Sequence, residues 1–381
     1  MTPTRKTPGG AGTFLRFAWQ QLRNRKAIRE SFNGLPNFAG IAPALRALPK
    51  GAPQVATLTV PATDAGWRRA GLTLRKGQSF SVFADGAVWI SQPMSVGASA
   101  VTALWLRIAK TAPLRKMRAN ASTFEAWADG ELEFCLKPPG EWANENGDFD
   151  PAVPRAGASG AIEAVVALWP GAAEAGLAAL ARSGLRLPAA TNRAAPTGWS
   201  YLWRLGDGSI YATADDAGKA CIHIHTHGDV GILQYPIAVP LDQDTTLEWR
   251  WRVDQLPSVL PEHVQPTHDY LSIAVEFENG QDLTYFWSNE LPVDTVFKCP
   301  LPWWSSRETH WVVRSGREGL GQWLSERRSL KSDYEQAIGG TMPSRVVGVW
   351  LIANSVFQRR HGEALFADIA LSARSARHQI V

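Results

Sequence analysis

Residues 247–254 read Leu247-Glu248-Trp249-Arg250-Trp251-Arg252-Val253-Asp254 and alternate apolar and charged side chains without a break. Successive side chains of a β-strand point to opposite faces, so the segment predicts a half-buried strand with a charged outer side. Further strands are expected at 271–277, 283–287, 310–315, 346–354 and 364–371. With a histidine-bearing segment at 221–229, they predict an antiparallel sandwich or jelly roll in the C-terminal half.

The charged side of this strand has two interpretations. Glu248, Arg250, Arg252 and Asp254 alternate in sign and can neutralise each other. Alternatively, Arg250 and Arg252 line a groove for a carboxylate, a phosphate or a sugar hydroxyl, because a planar guanidinium suits those acceptors.

The N-terminal half predicts a second sandwich. Short apolar runs punctuated by glycine lie at 55–60, 71–74, 79–83, 87–91, 103–108, 131–136 and 161–168. The chain of 381 residues contains 33 Gly, 25 Pro and 17 Trp, which favours short strands, turns and aromatic cores, and its length favours two domains. We expect an all-β protein: a basic helical extension at 1–50, a sandwich at 51–170, a linker with a short helix at 171–198, and a second sandwich at 199–375.

Composition excludes several classes of protein. The net charge of +4 comes largely from the two ends of the chain, and no nucleic-acid-binding signature is present. Cys135, Cys221 and Cys299 are odd in number and widely spaced, which favours a reducing, cytoplasmic location. No secretory signal and no run of about 20 apolar residues is visible. The oligomeric state is left open.

Residues 13–32 predict a basic, moderately amphipathic helix that includes Trp19, Arg23 and Arg25. Such a helix either makes weak contact with an anionic membrane surface or packs on its own domain.

His223, His225 and His227 occupy every second position of the segment 221–229, so all three project from one face of a strand. Zinc or another divalent ion would need His223 with His225, or His225 with His227, plus a third donor from a neighbouring strand. The alternative is a solvated or hydrogen-bonded histidine face. As a catalytic centre, these histidines would act as acid, base or metal ligand, with Asp229, Glu248 or Asp269 orienting an imidazole.

Two segments are expected to be loops: a pair of tryptophans after Pro302 and the charged residues 326–334. Trp303 and Trp304 follow Pro302, where paired indoles either stack on a sugar ring or pack in the core. Residues 326–334 contain Glu326-Arg327-Arg328 and Asp333-Tyr334 and are expected to form a surface loop with weak internal ion pairs.

The N-terminal half resembles the galactose-binding-like sandwich of the PA-I-type bacterial lectins. The similar segments are 67–74, 77–86, 104–108 and 130–132, and residues 142–149 resemble the calcium and sugar loop of that family. Asn144 matches an asparagine position, whereas Glu145 replaces a second asparagine and Lys137 stands where an acidic ligand is expected. The resemblance therefore implies the fold without a calcium site of the family type.

The C-terminal half resembles a bacterial family known as domain of unknown function 3047, over residues 199–372. The segments that carry the resemblance are 249–254, 283–287, 312–316, 320–323, 326–328 and 333–334. The resemblance implies a β-sandwich and no particular reaction. An acidic segment typical of the family is reduced here to Asn354 and Asp368, and the histidine strand replaces small polar residues.

Two functions follow as alternatives. The first is binding of a small ligand or carbohydrate by the two sandwiches, and the second is a hydrolase, lyase or isomerase centred on the histidine strand. The residues expected to contact a ligand are Glu248, Arg250, Arg252, Tyr285, Trp287, Trp303, Trp304, Arg314 and Asn354.

Overall fold

The computed structural model describes residues 9–32, 34–48, 51–64, 66–117, 119–137, 144–149, 158–183, 195–205, 210–302, 304–374 and 376–381. They form two compact units: one within residues 20–191, and one from residues 192–381 together with residues up to 19. Each unit has its own pair of β-sheets. None of the described helices combines the length and apolar character that crossing a membrane requires.

The first half of the chain begins with helices and continues with nine strands. The helices are α1 (Gly10–Arg23), α2 (Arg25–Glu30), α3 (Ile41–Arg46), α4 (Ala100–Ala103) and α5 (Ala173–Arg182). The strands are β1 (Gln54–Pro61), β2 (Arg68–Leu74), β3 (Ser79–Ser91), β4 (Val96–Ser99), β5 (Leu104–Ile108), β6 (Thr111–Lys116), β7 (Ala121–Glu125), β8 (Gly130–Leu136) and β9 (Ser159–Leu168).

The N-terminal unit is a sandwich of a five-stranded and a four-stranded sheet. The first has the order β1-β9-β3-β4, with β7 also paired to β3, and the second has the order β2-β8-β5-β6. Phe80 and Val82 from one sheet pack against Leu106 and Phe134 from the other. The opposite side of β3 and β9 is covered by α3 and α5, so residues 80–84 are buried on both faces and form a continuous buried run.

The second half of the chain contains thirteen strands and one helix. They are β10 (Ser200–Leu205), β11 (Tyr211–Asp216), β12 (Lys219–His227), β13 (Val230–Pro240), β14 (Thr246–Gln255), β15 (Tyr270–Phe277), β16 (Asp282–Ser288), β17 (Val296–Lys298), β18 (Glu308–Ser315), β19 (Leu324–Ser329), α6 (Leu330–Ala337), β20 (Arg345–Asn354), β21 (His361–Ala373) and β22 (Ala376–Gln379).

The C-terminal unit is a larger sandwich. Its seven-stranded sheet has the order β10-β13-β20-β15-β16-β18-β17, and its six-stranded sheet has the order β11-β12-β21-β14-β19 with β22 paired to β21. The predicted inner residues of β14 fill the space between the sheets. Trp249 stacks on Tyr285 with ring centroids 5.6 Å apart, and Trp251 lies 5.7 Å from Trp287.

The all-β class with two sandwiches and an N-terminal helix is confirmed. Two local expectations were wrong. β16 and β18 run parallel, whereas the other described pairings are antiparallel, because residues 289–307 cross over before the chain enters β18. Residues 326–334 belong to β19 and α6 instead of a surface loop.

Candidate functional site

The histidines of β12 lie on the side of the six-stranded sheet that faces away from the core, which we call the outer face. Ile222 and Ile224 point inward and are at most 2% exposed. His225 and His227 are exposed and His223 is half-buried. The alternation predicted for this segment is therefore present.

The neighbouring strand β21 contributes two further residues to this face. His225 Nε2 lies 3.1 Å from His361 Nδ1, and His223 Nε2 lies 3.1 Å from Glu363 Oε1. The ring of His227 stacks on that of His361 at a centroid distance of 3.9 Å. Sequence reasoning missed His361 and Glu363 because the strand was expected to begin at residue 364; the alternation of β21 upstream of that point was the available signal.

The clustering changes the protonation of the histidines. Although both residues reach solvent, partial desolvation of their rings by the neighbouring side chains, followed by the facing charge of His361, lowers the pKa of His225 and His227 below the ordinary histidine value of 6.5. Both imidazoles are thus neutral at neutral pH and can accept a proton or a metal ion. A zinc site at His223 and His225, with a donor from a neighbouring strand, stays a prediction, as does a catalytic role for these residues.

The carboxylates expected to orient an imidazole are engaged elsewhere. Asp229 accepts hydrogen bonds from the Thr226 hydroxyl at 2.5 Å and the His227 amide at 2.9 Å, and so closes the turn after β12. In that turn Gly228 has a φ of +68°, which glycine adopts without strain. Asp269 is fully buried, and burial raises its pKa to about 8.

The charged side chains of β14 lie on the same outer face, separated from the histidines of β12 by β21, and form ion pairs. Arg252 contacts Asp216 at 3.1 Å and Asp254 at 3.0 Å. Glu248 pairs with Arg327 at 3.1 Å and also contacts Arg377. Arg252 and Asp254 pair within the strand, whereas Glu248 and Arg250 pair with residues of other elements, so both interpretations of the charged side stay predictions.

Trp323 lies among these charges. The guanidiniums of Arg250 and Arg252 lie 5.3 and 5.9 Å from its ring, and its indole N–H donates to Asp216 at 2.7 Å. The sequence pattern did not assign Trp323 to the site because it lies in the turn before β19, outside any alternating segment.

A cavity of about 440 Å³ opens on the outer face beside Arg250. Asp368 reaches it from a β-bulge in β21, where the register against β14 shifts and Asp368 has a φ of +51°. Bulges reorient individual side chains, and here the Asp368 carboxylate contacts Arg250 at 3.3 Å. The charged lining residues are Glu248, Arg250, Glu326, Arg327, Asp368 and Arg377.

Two residues expected to contact a ligand lie in the core. Tyr285 and Trp287 are fully buried between the sheets. The Tyr285 hydroxyl donates to Asp333 at 2.8 Å, and the Trp287 indole donates to the Gly316 carbonyl at 2.9 Å. Their location removes them from the set of ligand contacts.

The remaining expected contacts are dispersed. Arg314 donates to Glu326 at 2.7 Å. Asn354 is buried and donates to the His268 carbonyl at 2.7 Å. Trp304 packs edge-on against Trp203, and Trp303 lies outside the described residues.

In the N-terminal unit, the segment that resembles a calcium loop is closed by its own side chains over the described residues 144–149. Asn144 donates to Asp148 at 2.7 Å and accepts from the Asn146 amide at 3.1 Å. Trp67 donates to the Gly147 carbonyl at 2.9 Å, and Lys137 is buried.

A second group of functional side chains was missed from the sequence. His268, Cys299, Glu308 and His310 lie on the side of the seven-stranded sheet away from the main core, each at most 4% exposed. One ligating atom from each lies within 4.8 Å of the others, and among the described residues this is the one group of three or more that converges so closely. Burial raises the pKa of Cys299 and Glu308 and lowers that of His310. We call this group the buried His-Cys-Glu cluster.

Fold and site together define a two-sandwich β-protein with a polar outer face. Residues 202–370 match the model of a family described as "Protein of unknown function (DUF3047)", which confirms the resemblance of the C-terminal half. No curated protein matches the chain.

Several solved structures are similar at low identity. The N-terminal domain of EclA, a PllA-like lectin, is 12% identical with a TM-score of 0.24 and covers 30% of this chain and 95% of its own. The family 11 carbohydrate-binding module of the cellulase Lic26A-Cel5E of Clostridium thermocellum is 12% identical with a TM-score of 0.25, and the match covers 50% of this chain and 94% of the module. The xyloglucanase domain of NopAA from Sinorhizobium fredii is 11% identical with a TM-score of 0.28, and the match covers 48% of this chain and 96% of that domain.

Proposed function

We propose that the C-terminal unit binds a neutral carbohydrate, or a similar polyhydroxylated small molecule, in the cavity of the outer face. The observation that carries this proposal is the balance of charge in the cavity lining. Three carboxylates oppose three guanidiniums: Glu248, Glu326 and Asp368 against Arg250, Arg327 and Arg377. A phosphate or carboxylate ligand is attracted by an excess of positive charge, which this lining does not have.

The same groups suit hydroxyls. A hydroxyl donates one hydrogen bond and accepts others, so it can bridge a carboxylate acceptor and a guanidinium donor. The pair between Arg250 and Asp368 is partly exposed, and such pairs contribute less than about 1 kcal/mol, so a ligand can enter between them at small cost. Trp323 holds the Arg250 guanidinium by a cation–π contact from outside the cavity lining, and so helps to orient this donor.

Titration calorimetry with a panel of neutral, phosphorylated and carboxylated mono- and oligosaccharides tests this proposal. We expect binding of at least one neutral sugar, and a loss of affinity of more than about tenfold in Arg250→Ala and Arg377→Ala, which both remove a cavity-lining guanidinium, since one hydrogen-bonded contact contributes about 1.5 kcal/mol. Arg345→Ala is the matched control, because Arg345 also pairs with a carboxylate but lies away from the cavity. Binding restricted to anionic sugars, or binding that both cavity variants retain, would contradict the proposal.

A second candidate is a hydrolase, lyase or isomerase that uses the histidines of the outer face. The observation that favours it is a set of imidazoles in contact with one another and with a carboxylate: His225 contacts His361, and His223 contacts Glu363. Chromogenic ester and glycoside substrates provide the test. The enzymatic candidate is supported if the wild type turns a substrate over, His225→Ala does not, and His378→Ala still does. Equal turnover in the two variants would reject it.

The interpretation of residues 13–32 as a surface-binding segment gains one supporting feature. On α1, Leu15, Trp19 and Leu22 are 58–68% exposed, and Arg23 is at its end. We propose weak contact of this helix with anionic membrane surfaces.

A further inference from the structure

Three separate segments of the C-terminal unit bring metal-ligating atoms to one buried point. His268 lies just before β15, Cys299 just after β17, and Glu308 and His310 on β18. The two β18 residues are two positions apart and therefore share a face. Around them stand aromatic rings, among them Phe297, which stacks on His310 at 5.0 Å.

The distances match a four-coordinate ion. Cys299 Sγ lies 3.5 Å from His268 Nε2, and His310 Nε2 lies 3.4 Å from Glu308 Oε1. In a tetrahedral zinc site with bonds of about 2.0–2.3 Å, neighbouring ligand atoms lie about 3.3–3.8 Å apart. Two ligand pairs already have this separation, and because all the other pairs lie within 4.8 Å, none needs to contract by more than about 1.5 Å.

The outer contacts of His268 prepare it as a ligand. Its Nδ1 lies 2.7 Å from the Glu262 carbonyl oxygen, which can only accept, so Nδ1 carries the proton. Nε2 is left with its lone pair directed at Cys299. A histidine that donates from one nitrogen to a backbone carbonyl and offers the other is the usual arrangement at metal centres.

His310 gives an independent reason to expect a ligand. It is fully buried, yet among the residues that the structure describes neither of its ring nitrogens has a hydrogen-bond partner. The approach of Nε2 to Glu308 at 3.4 Å does not have hydrogen-bond geometry. Buried polar atoms are normally satisfied, and an unpaired imidazole aimed into a cluster of ligating atoms points to a missing partner.

We propose that His268, Cys299, Glu308 and His310 bind one divalent transition-metal ion of the zinc class. A thiolate with two imidazoles suits zinc and disfavours calcium or magnesium, which prefer oxygen ligands. Four protein ligands complete a tetrahedral shell, and closed shells of this kind are structural. The ion would tie the crossover 289–307 to β15 and β18.

Metal analysis of the full chain tests the proposal. We expect about one zinc per chain, either as purified or after a chelated sample is given zinc. Cobalt substituted for zinc should show thiolate-to-cobalt charge-transfer absorption. Cys299→Ser and Glu308→Gln should each weaken zinc binding more than about tenfold, and Glu308→Gln keeps the side-chain size. His378→Ala is the control, because it removes an exposed histidine on β22 that belongs to neither group, and His225→Ala reports separately on the outer-face histidines.

Any of three results would overturn the proposal. Wild-type protein that holds no zinc and takes up none after chelation excludes the site. Cobalt bound without thiolate absorption excludes Cys299 as a ligand. Zinc lost in His225→Ala and kept in Cys299→Ser assigns the metal to the outer face. Because the first two experiments use wild-type protein, they remain decisive if a variant fails to fold.

Discussion

The imidazole of His227 stacks on that of His361, with planes 7° from parallel and centroids 3.9 Å apart. His361 also contacts His225, so one residue of β21 joins two histidines of β12. A proton on His225 or His227 faces the imidazole of His361, and this repulsion adds to the cost of partly desolvating the charged ring. The cluster therefore couples protonation of the outer face to the stability of the sheet.

The contribution that His225 and His227 make to the stability of the C-terminal unit should fall as the pH is lowered from about 7 to about 5. In the unfolded chain His225 and His227 titrate near 6.5, whereas their pKa is lower in the folded chain, so below about 6.5 the unfolded state binds protons that the folded state excludes. Glu363 opposes the shift at His225, and Arg359 adds to it at His227. Urea unfolding midpoints followed by circular dichroism across this range provide the measurement.

His361→Ala isolates the contribution of the cluster. Without His361 the pKa values of its two neighbours should rise and the pH dependence should become shallower. His378→Ala should keep the wild-type slope, since His378 lies on β22 at the exposed edge. If the unfolding midpoint of His361→Ala depends on pH as steeply as that of the wild type, the contacts of His361 with His225 and His227 have no energetic consequence.

The ion pair between Arg328 and Asp333 should matter far more than exposed pairs do. Asp333 accepts from Arg328 at 2.7 and 2.9 Å and from the Tyr285 hydroxyl at 2.8 Å, and its side chain is 7% exposed. Asp333→Ala leaves a largely buried guanidinium without its carboxylate, and we expect a loss of about 3–5 kcal/mol in the free energy of unfolding. Arg345→Ala, which breaks an exposed pair, should cost less than about 1 kcal/mol. Equal losses in denaturant unfolding of the two variants would refute this difference.

Strand β14 shows what the sequence allows one to predict. The two-residue period of Trp249 and Trp251 is a local property, so the inner and outer faces of the strand follow from residues 247–254 alone. The outer face of β12 follows in the same way. Membership of one sheet face is therefore predictable wherever one side of a strand is apolar and the other is polar.

The buried His-Cys-Glu cluster shows why the rest was not predictable. Residues 282–288 and most of β18 are buried on both faces, because a small hydrophobic cluster covers the far side of the seven-stranded sheet. Alternation disappears when both faces are buried. The approach of Cys299 and His268 depends on the crossover 289–307 and the parallel pairing of β16 with β18, which are non-local features. His361 was missed because the start of β21 was placed three residues too late, and its pairing with β12 is in addition a cross-strand relationship that spacing along the chain does not encode.

Helix α1 should bind vesicles that contain anionic phospholipid and should not bind purely zwitterionic ones. Its exposed Leu15 and Trp19 can enter the interface while the basic residues contact headgroups, and added salt should weaken the binding. Co-sedimentation of the full chain measures this. Trp19→Ala should reduce binding, whereas Ile90→Ala, which removes a similarly exposed apolar side chain elsewhere, should not. Salt-independent binding, or equal loss in both variants, would reject a surface role for α1.

Asp368 should determine which sugars the cavity prefers. Its φ of +51° is tolerated by Asp, Asn and Gly, so Asp368→Asn keeps the bulge, whereas Asp368→Val should cost about 1–3 kcal/mol from strain. In Asp368→Asn the lining has three guanidiniums and two carboxylates, and the positive excess should shift preference toward carboxylated or phosphorylated sugars. Calorimetry with one neutral sugar and its anionic derivative measures the ratio of affinities. A ratio that stays the same as in the wild type, in a variant with unchanged thermal stability, would show that charge balance in the cavity does not select the ligand.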